Sequence, residues 1–207
     1  MAKMYGFKSG GEKPAGAFPM LPAGCYVAGI KNVKIDGEKP DRQIVLRLDI
    51  IEGEHTGYFT KRWEHDTQKA GFNQNFQAKY KGDFRIQIPD PENGMRQHPE
   101  WDAKSLNNMI WCVESSNPGF HFDGDDAHVS QLKGKTVGIN VREEKSIIDG
   151  KICVYTRVMK FENADDVRKG LCKVMPQKDR TGGAAAPAAE PAGNSGFTPV
   201  ETDELPF

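Results

Sequence analysis

Hydrophobic and polar residues alternate most cleanly between Gln43 and Ile51. There Ile44, Leu46, Leu48 and Ile50 fall on one side of an extended chain, and Gln43, Val45, Arg47 and Asp49 on the other. Such period-two text predicts a strand with one face in a core and the other in water. Upstream, Tyr26, Ala28 and Ile30 share one parity and Val33 and Ile35 the other. The first strand is therefore expected to carry a bulge near Lys31 and Asn32 before Asp36-Gly37 turns it. Glu52-Gly53-Glu54-His55-Thr56-Gly57 reads as a hairpin loop into a third strand, Tyr58 to His65, with a further short strand from Asp83 to Ile88.

The period then changes. Leu106, Met109, Ile110 and Val113 recur at i, i+3, i+4 and i+7, which predicts an amphipathic helix between Trp101 and Ser116 that Asn117-Pro118-Gly119 ends. Lys135 to Arg142 and Lys151 to Phe161 read as a hairpin around Asp149-Gly150, with Val137, Ile139 and Val141 on the same side as Ile152, Val154 and Val158. A short helix is expected from Ala164 to Val174. Five principal strands with a helix before the fourth predict a mainly β protein built on a five-stranded OB-fold barrel. In such a fold the open face often holds single-stranded nucleic acid.

Outside this pattern the text is poor in apolar periodicity. Residues 1–20 read as a flexible arm, residues 21–176 as the barrel domain with an insertion around 67–130, residues 177–198 as a Gly/Ala/Pro linker, and residues 199–207 as an acidic tail. At 207 residues with 37% hydrophobic and 28% charged content, the chain suits one core with appendages. No apolar run is long enough for a membrane helix or a signal peptide, so a cytoplasmic protein with no membrane partner is expected. Cys25, Cys112, Cys153 and Cys172 are widely spaced, without a C-x-x-C pair, and are expected to be reduced, packed thiols with no metal and no cofactor.

Formal net charge is -1, which hides an asymmetry. Residues 181–207 contain no Lys or Arg but four acids, Glu190, Glu201, Asp203 and Glu204, so the rest of the chain is mildly basic. Single-strand binding needs aromatic faces for bases and cations for phosphates on one surface. On the expected third strand Lys61-Arg62-Trp63 supplies both. Either Phe59 and Trp63 are core with Arg62 outside, or the whole set lines the groove. On the fifth strand the parity opposite Ile152, Val154 and Val158 turns Tyr155 and Arg157 outward, with Arg142 outward on the fourth and Arg47 on the second. These seven residues are the candidate DNA contacts. Phe72, Phe76 and Tyr80 fall at i, i+4 and i+8 among lysines and are read as core rather than as a basic aromatic helix, and Trp101 and Trp111 as packing residues.

Catalytic motifs are absent or broken. Leu132-Lys133-Gly134-Lys135-Thr136 resembles the end of a phosphate loop but has Val129 where the first Gly is required. Asp123-Gly124-Asp125-Asp126-Ala127-His128 gathers acids and a histidine, yet it lacks the Gly and Glu of a calcium loop, at His128 and Gly134. The chain is read as non-enzymatic, with a metal-dependent nuclease centred on Asp123, Asp125, Asp126 and His128 as a lesser alternative.

The last residues, Asp203-Glu204-Leu205-Pro206-Phe207, combine acids, an apolar residue, a stiff proline and an aromatic carrying the terminal carboxylate. A partner pocket can bury the ring, hold the carboxylate with an arginine and attract the acids with a basic rim. This ending resembles that of bacterial and phage single-stranded DNA-binding proteins, which close with an acidic stretch and Ile-Pro-Phe or Leu-Pro-Phe after a low-complexity linker. Leu21-Pro22-Ala23-Gly24-Cys25-Tyr26 and Ile51-Glu52-Gly53-Glu54-His55-Thr56-Gly57 are similar to the opening and the second connection of a phage-encoded OB-fold family. The resemblance covers residues 21–65, 133–162 and the tail. It implies coating of exposed single strands in phage or prophage replication, recombination or repair, in a bacterial cytoplasm, with host proteins as tail partners. Self-association into a homo-oligomer is left open. The competing reading is a non-enzymatic adaptor whose barrel binds replication proteins instead of DNA.

Overall fold

The computed structural model describes residues 17–39, 41–70, 78–90 and 99–181. Six strands and three α-helices follow in the order β1 (Gly24–Asp36), β2 (Gln43–Ile50), α1 (Tyr58–Ala70), β3 (Asp83–Gln87), α2 (Pro99–Ser116), β4 (Thr136–Ile148), β5 (Lys151–Glu162), α3 (Ala164–Arg168) and β6 (Lys178–Asp179). A 3-10 helix, Asp126–Leu132, precedes β4. The strands form one mainly antiparallel sheet in the order β3-β2-β1-β4-β5, with β6 added in parallel to β4. Among the described residues no helix is long and apolar enough to cross a membrane.

The expected bulge is present: pairing of β1 with β2 shifts between Ile30 and Asn32, so Ala28 and Ile30 before it and Val33 and Ile35 after it all turn toward the core. The inner face of β2, Ile44, Leu46, Leu48 and Ile50, is buried as its period requires. Its outer face is not uniformly wet. Arg47 is exposed, whereas Val45 is flanked in register by Lys34 and Arg85, and Val45 and Asp49 are both buried.

Asp49 explains the main departure from expectation. Its Oδ1 accepts the backbone N–H groups of Ile50 and Phe59, both at 3.0 Å, and its Oδ2 accepts the Thr60 hydroxyl. A carboxylate at those N–H groups favours a helix start, and Tyr58–Ala70 is helix α1, not a third strand. The loop Glu52 to Gly57 supports this with positive φ at Gly53 and Gly57. Tyr58, Phe59, Arg62, His65 and Asp66 face inward, and the Tyr58 hydroxyl accepts the Leu21 N–H at 2.8 Å. The place of the third strand in the sheet is taken by Asp83–Gln87, paired along β2.

Helix α2 lies where the period predicts and packs Met109, Cys112 and Val113 into the core. Burial pushes the Cys112 thiol up to about 12. Trp101 and Trp111, expected to pack, are instead 63% and 58% exposed. Helix α2 touches β3, β4 and β5 and spans the gap between the two end strands. There the rings of Phe84 on β3 and Phe161 on β5 meet edge to face with centroids 4.9 Å apart. Helix α3 is shorter than expected and stops at Arg168. Gly170 takes φ 70°, its N–H bonds Val167 O, and Leu171 N–H bonds Asp166 O, the paired closure that ends a helix at a left-handed glycine.

Candidate nucleic-acid interface

Strand β4 outgrows its neighbour β1. Their pairing ends at Gly24 and Val141, and β4 continues to Ile148 paired with β5, turning back through Asp149 and Gly150. Both turn residues have positive φ, 50° and 73°, as a two-residue hairpin of this hand requires. In this projecting ribbon Arg142 stands opposite Arg157 and Glu144 opposite Tyr155. All four lie on the face opposite Val141 and Val158, so the parity that groups Arg142, Tyr155 and Arg157 is realised.

The expected exposure is only partly realised. Arg157 is exposed and makes no salt bridge among the described residues, and Tyr155 is half-buried. Arg142 is only 9% exposed, and its guanidinium bonds Glu144. Glu144 is fully buried; it also binds Arg180 through Nε and Nη2, both at 3.2 Å, and accepts the Tyr155 hydroxyl at 3.3 Å. Burial alone raises this carboxyl, but the bonds from Arg142 and Arg180 outweigh it and hold Glu144 below the usual carboxylate range. The Arg142 Nε is buried without a hydrogen-bond partner.

The segment 172–181 runs beside β4 where β1 has ended and binds Asn140 and Glu144, on either side of Arg142. The Asn140 side chain donates to Lys173 O at 2.9 Å and accepts Met175 N–H at 3.3 Å. Further along, Gln177 bonds Glu143, β6 pairs with Glu144 and Lys145, and Arg180 N–H donates to Lys145 O at 2.8 Å. The near end of this strap is covalent: Cys172 forms a disulfide with Cys25 on β1, correcting the expectation of four reduced thiols. Only Cys112 and Cys153 are free.

The other candidates do not join this face. Lys61, Arg62 and Trp63 lie on helix α1, so strand parity does not group them. Lys61 Nζ donates to Thr56 O at 2.8 Å, and Arg62 turns inward to the Tyr58 hydroxyl at 3.2 Å and to Asp66. Trp63 is 41% exposed. Arg47 pairs with β1 at Asn32, toward the end of β1 away from Gly24. It grips Asp83 with two bonds of 2.9 and 3.1 Å and lies 4.7 Å over the Tyr80 ring. Around it Arg85 and Lys34 both pair with Asp36, so cations and carboxylates alternate on this outer face. Phe72, Phe76 and the tail residues Asp203 to Phe207 lie outside the described residues.

In the acidic loop, Asp123 accepts the Asp125 N–H and pairs with His128; these bonds lower the aspartate and raise the histidine. Among the described residues no group of three or more His, Cys, Asp or Glu side chains is placed to hold a metal ion. Sequence reasoning missed Glu144 and Arg180. The first was missed because the strand was expected to end at Arg142, whereas β4 runs on to Ile148 and puts Glu144, two residues on, on the same face. Arg180, next to a low-complexity stretch, gave no signal. No protein-family model matches the chain, and no curated protein sequence is significantly similar to it.

Proposed function

We propose that this chain is a non-enzymatic single-stranded DNA-binding protein of the OB type that coats exposed strands in replication, recombination or repair and recruits partner proteins through Asp203 to Phe207. The observation that carries the reading is the strand order β3-β2-β1-β4-β5 with helix α2 between β3 and β4, the order of the OB barrel with its last seam spanned by Phe84 and Phe161. The exposed Arg157 beside Tyr155 on the β4–β5 ribbon supplies a cation and a ring where such a barrel meets its strand.

The test is fluorescence anisotropy of a labelled oligothymidine with a duplex control. Tight binding to the single strand alone is expected, falling about 20- to 50-fold between 50 and 200 mM salt if three or four phosphates are neutralised. The double variant Tyr155→Ala, Arg157→Ala should weaken it by about five- to 150-fold, the range for one lost stacked base. Unchanged affinity in a folded double variant rules out this face.

Deleting Leu205 to Phe207 should leave strand affinity intact or slightly higher while abolishing pull-down of replication partners. A large loss of DNA affinity contradicts this division of labour. The adaptor reading is favoured by one observation, that Arg47 and Arg142 are both held by carboxylates of this chain. No binding of the oligomer at low salt decides for it.

A further inference from the structure

Residues 172–181 run along the edge of β4 past Arg142, bonded to Asn140 and Glu144 on either side of it, and the two ends of this run are held very differently. At the near end stand the Cys25–Cys172 bond and the Asn140 contacts to Lys173 and Met175. At the far end the strap depends on a two-residue strand and on ion pairs from Arg180 to Glu144 and from Asp179 to Lys145. The Arg180 and Asp179 side chains are 43% and 53% exposed. The exposed Asp179–Lys145 pair contributes little and weakens with salt, so the far end rests chiefly on the Arg180 pair to the buried Glu144. Between the anchors lies Arg142, outward by strand parity yet buried, with its Nε unpartnered. Cys25 and Cys172 are themselves only partly buried, and Cys25 lines an open cleft, which gives a small thiol a way to the disulfide from solvent.

We propose that the strap is a thiol-releasable clasp on the edge of β4, and that reduction of the Cys25–Cys172 bond frees Arg142, next to Tyr155 and Arg157, for a nucleic-acid strand. The strand-binding half rests on the function proposed above; the release half rests on the strap geometry alone. A dithiol is the reductant. One of its thiolates attacks a cysteine sulfur and breaks the S–S bond, leaving a mixed disulfide and one cysteine thiolate that takes up a proton. Its second thiolate then displaces the other cysteine. The products are two cysteine thiols and the dithiol's own disulfide, with two electrons and two protons passed to the protein.

The experiment compares the full chain, air-oxidised and dithiothreitol-reduced, by hydrogen exchange read by mass spectrometry and by anisotropy of an oligothymidine. Reduction should speed exchange in residues 172–181 at least about tenfold, leave residues 44–50 unchanged, and tighten strand binding at least about threefold. In a Cys172→Ser chain both readouts should match the reduced form and ignore dithiothreitol, which separates this bond from Cys112 and Cys153. If that variant does not fold, reduction of the unaltered chain carries the test alone. Equal exchange of residues 172–181 in both forms overturns the release. Faster exchange with unchanged affinity overturns the gating of a strand. Binding by neither form overturns the strand-binding reading, while the exchange comparison still decides whether the strap lets go.

Discussion

Glu144→Ala is expected to lower the unfolding free energy by about 3–5 kcal/mol, the range for removing one partner of a buried ion pair. The alanine leaves the Arg142 guanidinium buried with neither its carboxylate nor a route to solvent, and it also releases Arg180 and the Tyr155 hydroxyl. Urea denaturation of the two chains checks the magnitude, and a loss below about 1 kcal/mol means that Arg142 turns out to water instead. The same carboxylate makes a pH prediction. Its folded value lies below its ordinary one because Arg142 and Arg180 outweigh burial. Its contribution is therefore complete above the ordinary glutamate value of about 4.3 and is lost as acid takes the pH down through the depressed folded value. The denaturation midpoint of the unaltered chain should fall over that window more steeply than that of Glu144→Ala.

Gly82→Ala should be nearly as damaging for a steric reason. A β-carbon there would stand 2.4 Å from Leu48 O, 2.7 Å from Tyr80 Cε1 and 2.8 Å from Phe59 Cγ. The nearest of these is backbone and cannot swing aside, because Leu48 is fully buried and its own N–H bonds Gly82 O at 2.9 Å. Overpacking of this kind typically costs about 1–3 kcal/mol, and a clash against backbone belongs at or above the top of that range. For a chain of this size about 3 kcal/mol corresponds to roughly 6–12 °C in Tm. A calorimetric shift under about 2 °C would mean that β3 slides along β2 without penalty.

Much of the sheet was legible because period-two text and turn residues agree. The bulge at Lys31, the β2 pattern, the hairpin through Asp149 and Gly150 and the core face of α2 all follow from local residues. The failures share a cause: the deciding contact lies far off in the chain. Tyr58 to His65 alternates well enough for a strand, but the carboxylate of Asp49, ten residues back from Phe59, turns it into a helix. Cys25 and Cys172 are 147 residues apart, a distance at which spacing says nothing of pairing. For the candidate contacts, strand parity puts Arg142 on one face with Tyr155 and Arg157. It is silent on depth, because Arg142 is bonded to the buried Glu144, which Arg180, from beyond α3, also holds. Arg47 illustrates the same gap, since its partner Asp83 lies 36 residues away.

The meeting of β3 and β5 through two phenyl rings has a mechanical meaning. Each neighbouring pair of strands in the sheet is laced by a ladder of peptide hydrogen bonds, which part only at the expense of several at once, whereas the end strands β3 and β5 meet through these rings. At the seam a ring can slide on a ring, and the distance between the end strands can change while each ladder stays whole. The two margins of the open sheet are thus joined by side chains alone, with α2 packed as a clamp across both.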